Sequence, residues 1–218
     1  KINYNIPSDI SSSAFFIVLA ALSKNSKLVI KNVNINSSRI GIIKILKKMN
    51  AKIKIVNKKI YKGELIGDLI INSSKNLKSI NCPEKLNSST IDEFLLIFLV
   101  AAKSKGISSF KNLNELNKKE SPRLDIAINF LKMIGVKVKR KKYDIQIFGN
   151  PNLNLIKNYC MKDFYKDHRI FMMTVIAALT LGGNWNIHNK DSIKTSFPRF
   201  LKIVNKLGAK INWKKKFL

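Results

Sequence analysis

Three stretches of this chain are almost unbroken apolar sequence. Each is followed, after a short gap, by a stretch in which apolar and basic positions alternate with helical spacing. The apolar stretches follow Asp9, Asp92 and Asp167 and read ISSSAFFIVLAAL, EFLLIFLVAAK and HRIFMMTVIAALTL. Their amphipathic companions read RIGIIKILKKMN, RLDIAINFLKMIG and RFLKIVNKLG. A helix that is apolar all round must be buried all round, whereas a helix with one apolar stripe buries only that stripe. The spacing therefore predicts three buried helices and three surface helices such as 40–49, with Lys44, Lys47 and Lys48 turned to water. Gly135 and Gly208 stand where a left-handed residue should end the surface helix, and Asn50 takes that place in the first copy.

Short β-prone runs with turn residues before them separate the helices, and two units carry further strands at 53–56, 60–61 and 69–71, and at 136–138 and 145–148. Self-similarity on this scale sets the architecture before any motif does. The expectation is an α/β (α+β) chain forming one domain over 1–218, with internal repeats at about 1–80, 81–158 and 159–218. The third unit stops soon after its strand, and the chain opens without an initiator Met. A last strand is expected from elsewhere, and a missing N-terminal domain with it.

Composition changes this picture little. A 45% hydrophobic content is enough for a sizeable core, and the net charge of +28 raises nucleic acid as a partner. The charge is nearly all lysine, spread evenly, with arginine only at 39, 123, 140, 169 and 199. No basic block or aromatic-interleaved patch stands out, so nucleic-acid binding is not the favoured reading. Cys82 and Cys160 have no partner at metal-ligand spacing, and neither a disulfide framework nor zinc is supported. The longest apolar runs fall short of the roughly 20 residues of a membrane span, and no signal peptide is visible.

The chemistry gathers where helices begin. Asp9, Asp92 and Asp167 stand at N-cap positions, and for Asp9 capping is a sufficient role. Asp92 is followed by Glu93, and Asp167 by His168 and Arg169. Between 115 and 127, Lys119, Glu120 and Arg123 crowd a further helix start, with Ser121 placed as its N-cap and Pro122 at its first helical position. Helix N-termini favour anions, so a pseudo-threefold arrangement that brings these starts together would build an anion-binding floor beside carboxylates. That suits a phosphorylated, carboxylated small substrate, with carboxylates able to take or give protons. His168 is a weak signal, His188 has no assigned role, and Gly182–Gly183 reads as a turn rather than a phosphate loop.

Four motifs in order, IDEF (91–94), KESPR (119–123), DHR (167–169) and TSFPRF (195–200), resemble the C-terminal half of the 5-enolpyruvylshikimate-3-phosphate synthase family; DISSSAFF and the NSSRIG…LKKMNA segment are similar too. The resemblance implies a fold of two similar domains, each of three βαβαββ units around buried helices, with the active site between them. It implies transfer of the enolpyruvyl group of phosphoenolpyruvate to the 5-hydroxyl of shikimate 3-phosphate, with release of phosphate through a tetrahedral intermediate. No metal or organic cofactor is implied, and a cytoplasmic monomer without membrane contact is expected.

Residue by residue, the resemblance makes Asp92 the acceptor of the shikimate hydroxyl proton and Lys119 a ligand of shikimate 3-phosphate. It makes Glu120 the group that exchanges a proton with the methylene carbon of phosphoenolpyruvate. Arg123 and Arg169 bind phosphoenolpyruvate, with His168 beside the latter. The chain departs from the family at Asn117 and Lys118, which replace Arg-Val, and at Pro122, which replaces Asp. Lys194 is one position away from a lysine found in some members, and Thr195 fills the slot. Two alternatives stay open: a UDP-N-acetylglucosamine enolpyruvyl transferase, and a basic RNA-binding module on the same repeat.

Overall fold

The apolar helices fix the architecture because they have no face to show to water. In the computed structural model, which describes residues 5–212, the first unit runs α1 (Ile10–Leu22), β1 (Lys27–Asn34), α2 (Gly41–Lys48), β2 (Lys52–Tyr61) and β3 (Glu64–Asn72). The second runs α3 (Phe94–Lys103), β4 (Gly106–Phe110), α4 (Arg123–Met133), β5 (Val138–Lys141) and β6 (Asp144–Gly149). The third runs β7 (Leu155–Met161), α5 (His168–Leu181), β8 (Gly182–Ile187) and α6 (Phe200–Lys206).

The units share a topology. In the first two, the last strand lies between the other two and pairs antiparallel with both, giving the orders β1-β3-β2 and β4-β6-β5. The segment before each buried helix runs parallel to the strand after it, through the bridges Ser8↔Val33, Lys78↔Lys105 and Asn81↔Ser109. The third unit keeps this parallel pair as β7 and β8, in register at Tyr159↔Trp185. Part of the strand expected after Gly208 lies outside the described residues, and 209–212 have no regular structure.

The helices α1, α3 and α5 pack against one another at the centre, and Phe94 to Ala102 of α3 are all buried. Burying each large apolar side chain contributes about 1.5–3 kcal/mol, so this trio dominates the core. The TSFPRF segment returns to the first unit: Phe200 meets Phe15 with centroids 5.8 Å apart, and Phe197 meets Phe16 at 6.0 Å. The surface helices end as their sequences require, with Asn50, Gly135 and Gly208 at φ 68°, 80° and 98°. Gly182 and Gly183 also have positive φ but open β8, where the third unit was expected to turn. No described helix is long and apolar enough to cross a membrane.

Candidate active site

Because the buried helices pack side by side, their first turns meet. The Ser11 hydroxyl of α1 donates to the Glu93 carboxylate at the start of α3. Arg169, in the first turn of α5, reaches the same place: its Nη1 donates to the Asp92 carbonyl at 3.2 Å and lies 3.9 Å from Glu93 Oε1. The N-terminus of α4 joins them through Arg123. Four helix starts thus gather at one site, where the helix dipoles favour negative charge.

Arg123 is the hub. It is only 2% exposed and uses its whole guanidinium: Nε donates to Asp167 Oδ2 at 2.8 Å and Nη1 to Asp92 Oδ1 at 2.9 Å. Its Nη2 lies 3.5 Å from Asp167 Oδ1 and 3.6 Å from Glu120 Oε2. Asp167 is buried as well and also accepts from the Ser121 hydroxyl at 2.8 Å and the Arg169 backbone N–H at 2.9 Å. Burial pushes the Asp167 carboxyl up, but Arg123, Ser121 and the helix N–H outweigh it and hold the group below the usual carboxylate range. A tight turn delivers Asp167. Buried Phe164 anchors it, Tyr165 and Lys166 are both left-handed, and the Asp167 N–H returns to the Phe164 carbonyl at 3.0 Å.

Asp92 sits nearer the surface among three cations. Arg123 contacts it at 2.9 Å, Lys119 Nζ at 3.4 Å and Arg169 Nη2 at 3.9 Å. Here too burial acts upward, and Arg169, Lys119 and Arg123 together bring the carboxyl below its ordinary value. Glu120 is more exposed, and its Oε2 lies 2.9 Å from His168 Nδ1. The structure therefore gathers Asp92, Lys119, Glu120, Arg123, His168 and Arg169 around one cluster of contacts. Lys194 is elsewhere engaged, pairing with Asp191 at 3.1 Å.

Three local expectations are corrected. Asp92 does not cap α3: Glu93 holds the cap position without a side-chain bond to the helix N–H groups, and the Asp92 carboxylate faces the cations instead. Ser121 does not cap α4, because its hydroxyl is spent on Asp167, and Pro122 falls before the helix rather than in its first turn. Asn117 does the capping, its Oδ1 accepting from Leu124 N–H at 2.9 Å and Asp125 N–H at 3.3 Å. Asp9 does cap, accepting from Ser12 N–H at 2.8 Å, and it also pairs with Arg39 at 3.0 Å.

Oxygens of Glu120 and Asp167 and a ring nitrogen of His168 lie within 4.8 Å of one another, a spacing that could hold a cation. The donor set argues otherwise. Both Asp167 oxygens already accept from Arg123, Ser121 and Arg169, and a guanidinium stands between the carboxylates. The cluster suits anions and protons. It sets a carboxylate under cations at helix N-termini, next to a second carboxylate in contact with His168. Sequence reasoning missed Glu93 as a member, and it missed Asp167 as the partner of Arg123. Only the charge adjoining each helix start hinted at either.

Comparison with known proteins bears on what such a cluster does. The family model described as EPSP synthase (3-phosphoshikimate 1-carboxyvinyltransferase) matches residues 1–204. A 3-phosphoshikimate 1-carboxyvinyltransferase of Petrotoga mobilis is 38% identical over 204 residues, covering 94% of this chain and 46% of that protein. One from Ruthia magnifica is 38% identical over 207 residues, covering 95% and 47%. The chain thus spans about half the length of the curated relatives it matches. An EPSP synthase structure from Acinetobacter baumannii superimposes with a TM-score of 0.87 at 36% identity, over 92% of this chain and 46% of that one. The enolpyruvyl transferase NikO of Streptomyces tendae shares the fold alone, with a TM-score of 0.69 at 13% identity over 96% of this chain and 45% of that one.

Proposed function

Because this chain belongs to the EPSP synthase family, we propose that it supplies one half of an enzyme that moves the enolpyruvyl group of phosphoenolpyruvate onto the 5-hydroxyl of shikimate 3-phosphate. The observation that carries this reading is the Asp92 carboxylate, held under Arg123, Lys119 and Arg169 where the helix N-termini meet. Two phosphorylated substrates need cations and helix N-termini, and the reaction needs carboxylates that move protons.

In this reading Asp92 accepts the proton of the 5-hydroxyl as its oxygen adds to C2 of phosphoenolpyruvate, and Glu120 delivers a proton to the methylene carbon. In the tetrahedral adduct that carbon then returns a proton to Glu120 as the C2–O bond to phosphate breaks, restoring the double bond, and the proton held by Asp92 leaves with the phosphate. Lys119 grips the 3-phosphate, and Arg123 and Arg169 face the phosphoenolpyruvate, with His168 in contact with Glu120 beside them. A carboxylate held this low is a weak base at rest. The substrates' negative charge offsets the three cations, so Asp92 gains basicity when the site is filled.

Residues 1–218 would form most of one domain with three internal repeats. A second domain, as a covalent partner in the same enzyme, would close the cleft with the remaining substrate contacts. The enzyme would work as a cytoplasmic monomer in the route to chorismate and the aromatic amino acids. The test is phosphate release by the complete enzyme from phosphoenolpyruvate and shikimate 3-phosphate. Asp92→Ala and Glu120→Ala should each lower turnover by about 10²–10⁴, the usual contribution of a positioned proton carrier. Normal turnover in both variants would refute the assignment.

A further inference from the structure

The mechanism leaves the buried Glu93 carboxyl unused. The Glu93 side chain is only 5% exposed, yet it lies at the floor of the site, between two helix starts. Its Oε1 accepts from the Ser11 hydroxyl, in the first turn of α1, and stands 3.9 Å from Arg169 Nη1, in the first turn of α5. Asp92 of the adjoining turn and Asp9 of the α1 cap are the other charged groups facing it, and Asp9 is itself paired with Arg39. Burial pushes the Glu93 carboxyl up, an effect that Ser11 and Arg169 only partly offset.

A buried carboxylate with so few charged partners costs stability, so it asks for a reason. Arg169 supplies one. Unlike Arg123, whose guanidinium is bonded on three sides, Arg169 has among the described residues a single side-chain hydrogen bond, to the Asp92 carbonyl, with carboxylates at 3.9 Å. Its long side chain has rotamers to lose, and without a fixed charge beside it the guanidinium would wander.

We propose that Glu93, seated by Ser11, is a positioning residue that holds the Arg169 guanidinium in its binding geometry and so ties the first unit of the fold to the anion side of the site. The kinetic part of this inference rests on the function proposed above. The sign of one effect separates positioning from simple charge: losing a nearby negative charge should tighten anion binding, whereas losing a positioning contact should weaken it.

The experiment has two arms. In the chain itself, side-chain ¹⁵N resonances of Arg169 should shift in Glu93→Gln and Ser11→Ala, while those of Arg140 stay in place. Unmoved Arg169 signals would overturn the proposal whatever the enzyme does. In the complete enzyme, Glu93→Gln should raise KM for phosphoenolpyruvate about tenfold while leaving kcat within about threefold and KM for shikimate 3-phosphate unchanged. Ser11→Ala should raise the same KM about threefold, and Ser11→Thr should restore it. A KM for phosphoenolpyruvate that falls or holds steady would overturn the proposal. A wild-type enzyme that releases no phosphate would sink the proposed function instead, and the Arg169 resonances would still decide the positioning role.

Discussion

Arg123 illustrates how one residue can carry both the fold and the site. Its ion pair with Asp167 is buried on both sides, and removing one member of such a pair strands the other charge away from water. Arg123→Met should therefore destabilise the protein by about 3–5 kcal/mol, read from the urea midpoint, with loss of ligand binding following from that damage as well as from a lost contact. The pH dependence follows from the direction of the shift. Asp167 is held below its unfolded value of about 3.9, so it contributes stability above that pH and loses the contribution as pH falls through its folded value. Asp167→Asn should be less stable at neutral pH and show a flatter loss of stability below about pH 4 than the wild type, as measured by urea unfolding at stepped pH. Residue types at helix starts were legible in the sequence because charge beside an N-terminus is itself a signal. The pairing of Arg123 with Asp167 was not, because it joins positions 44 apart, in different units, and only packing of the helices brings them together.

At the level of elements, the same packing overrode a local rule. Ser-Pro before an amphipathic run reads as a cap and first turn, yet the Ser121 hydroxyl is drawn to Asp167 by a stronger, charged acceptor. Pro122, at φ −71° and ψ 72°, becomes the centre of a three-residue turn closed by the Arg123 N–H to the Ser121 carbonyl at 2.7 Å. The Asp usual at this position in the family would have been a possible cap. Here Asn117, itself a departure from the family pattern, reaches forward to the first N–H groups of α4 and also donates to the Asp125 carboxylate at 3.1 Å. Asn117→Ala should cost about 1 kcal/mol and loosen the turn that carries Lys119 and Glu120. A thermal midpoint equal to wild type would show that Asn117 caps nothing of consequence. The buried helices were legible as elements because a helix apolar on all sides has one fate. Strand extents were less so: β2 and β3 run longer than their apolar cores, and in β2 the exposed Asn57, Lys58 and Lys59 carry the strand across a register shift between Val56 and Lys59.

For the whole molecule, convergence is the property that matters. No single helix start here is unusual, but three buried helices packed at the centre bring their N-termini together, and α4 adds a fourth. Under the proposed function, a chain of net charge +28 needs no basic patch to hold an anion, because helix N-termini and three placed cations gather at one site. The same geometry also marks what is incomplete. The Glu120 side chain is 55% exposed and that of Asp92 35%, and a reaction that protonates carbon and expels phosphate requires water to be kept out. The relatives are about twice as long as this chain. The 218-residue chain alone should therefore release no phosphate in steady state, and phosphoenolpyruvate should bind it weakly if at all. Turnover should return only with the complementary half present, joined or added in trans. Tight, steeply salt-dependent binding of RNA by the chain, unaffected by phosphoenolpyruvate, would instead favour a nucleic-acid role, because such binding is driven by release of counterions from the phosphate backbone and needs no organised site. Phosphate release by the isolated chain would count against both readings, since it would mean that one set of helix ends, open to solvent, suffices for the chemistry.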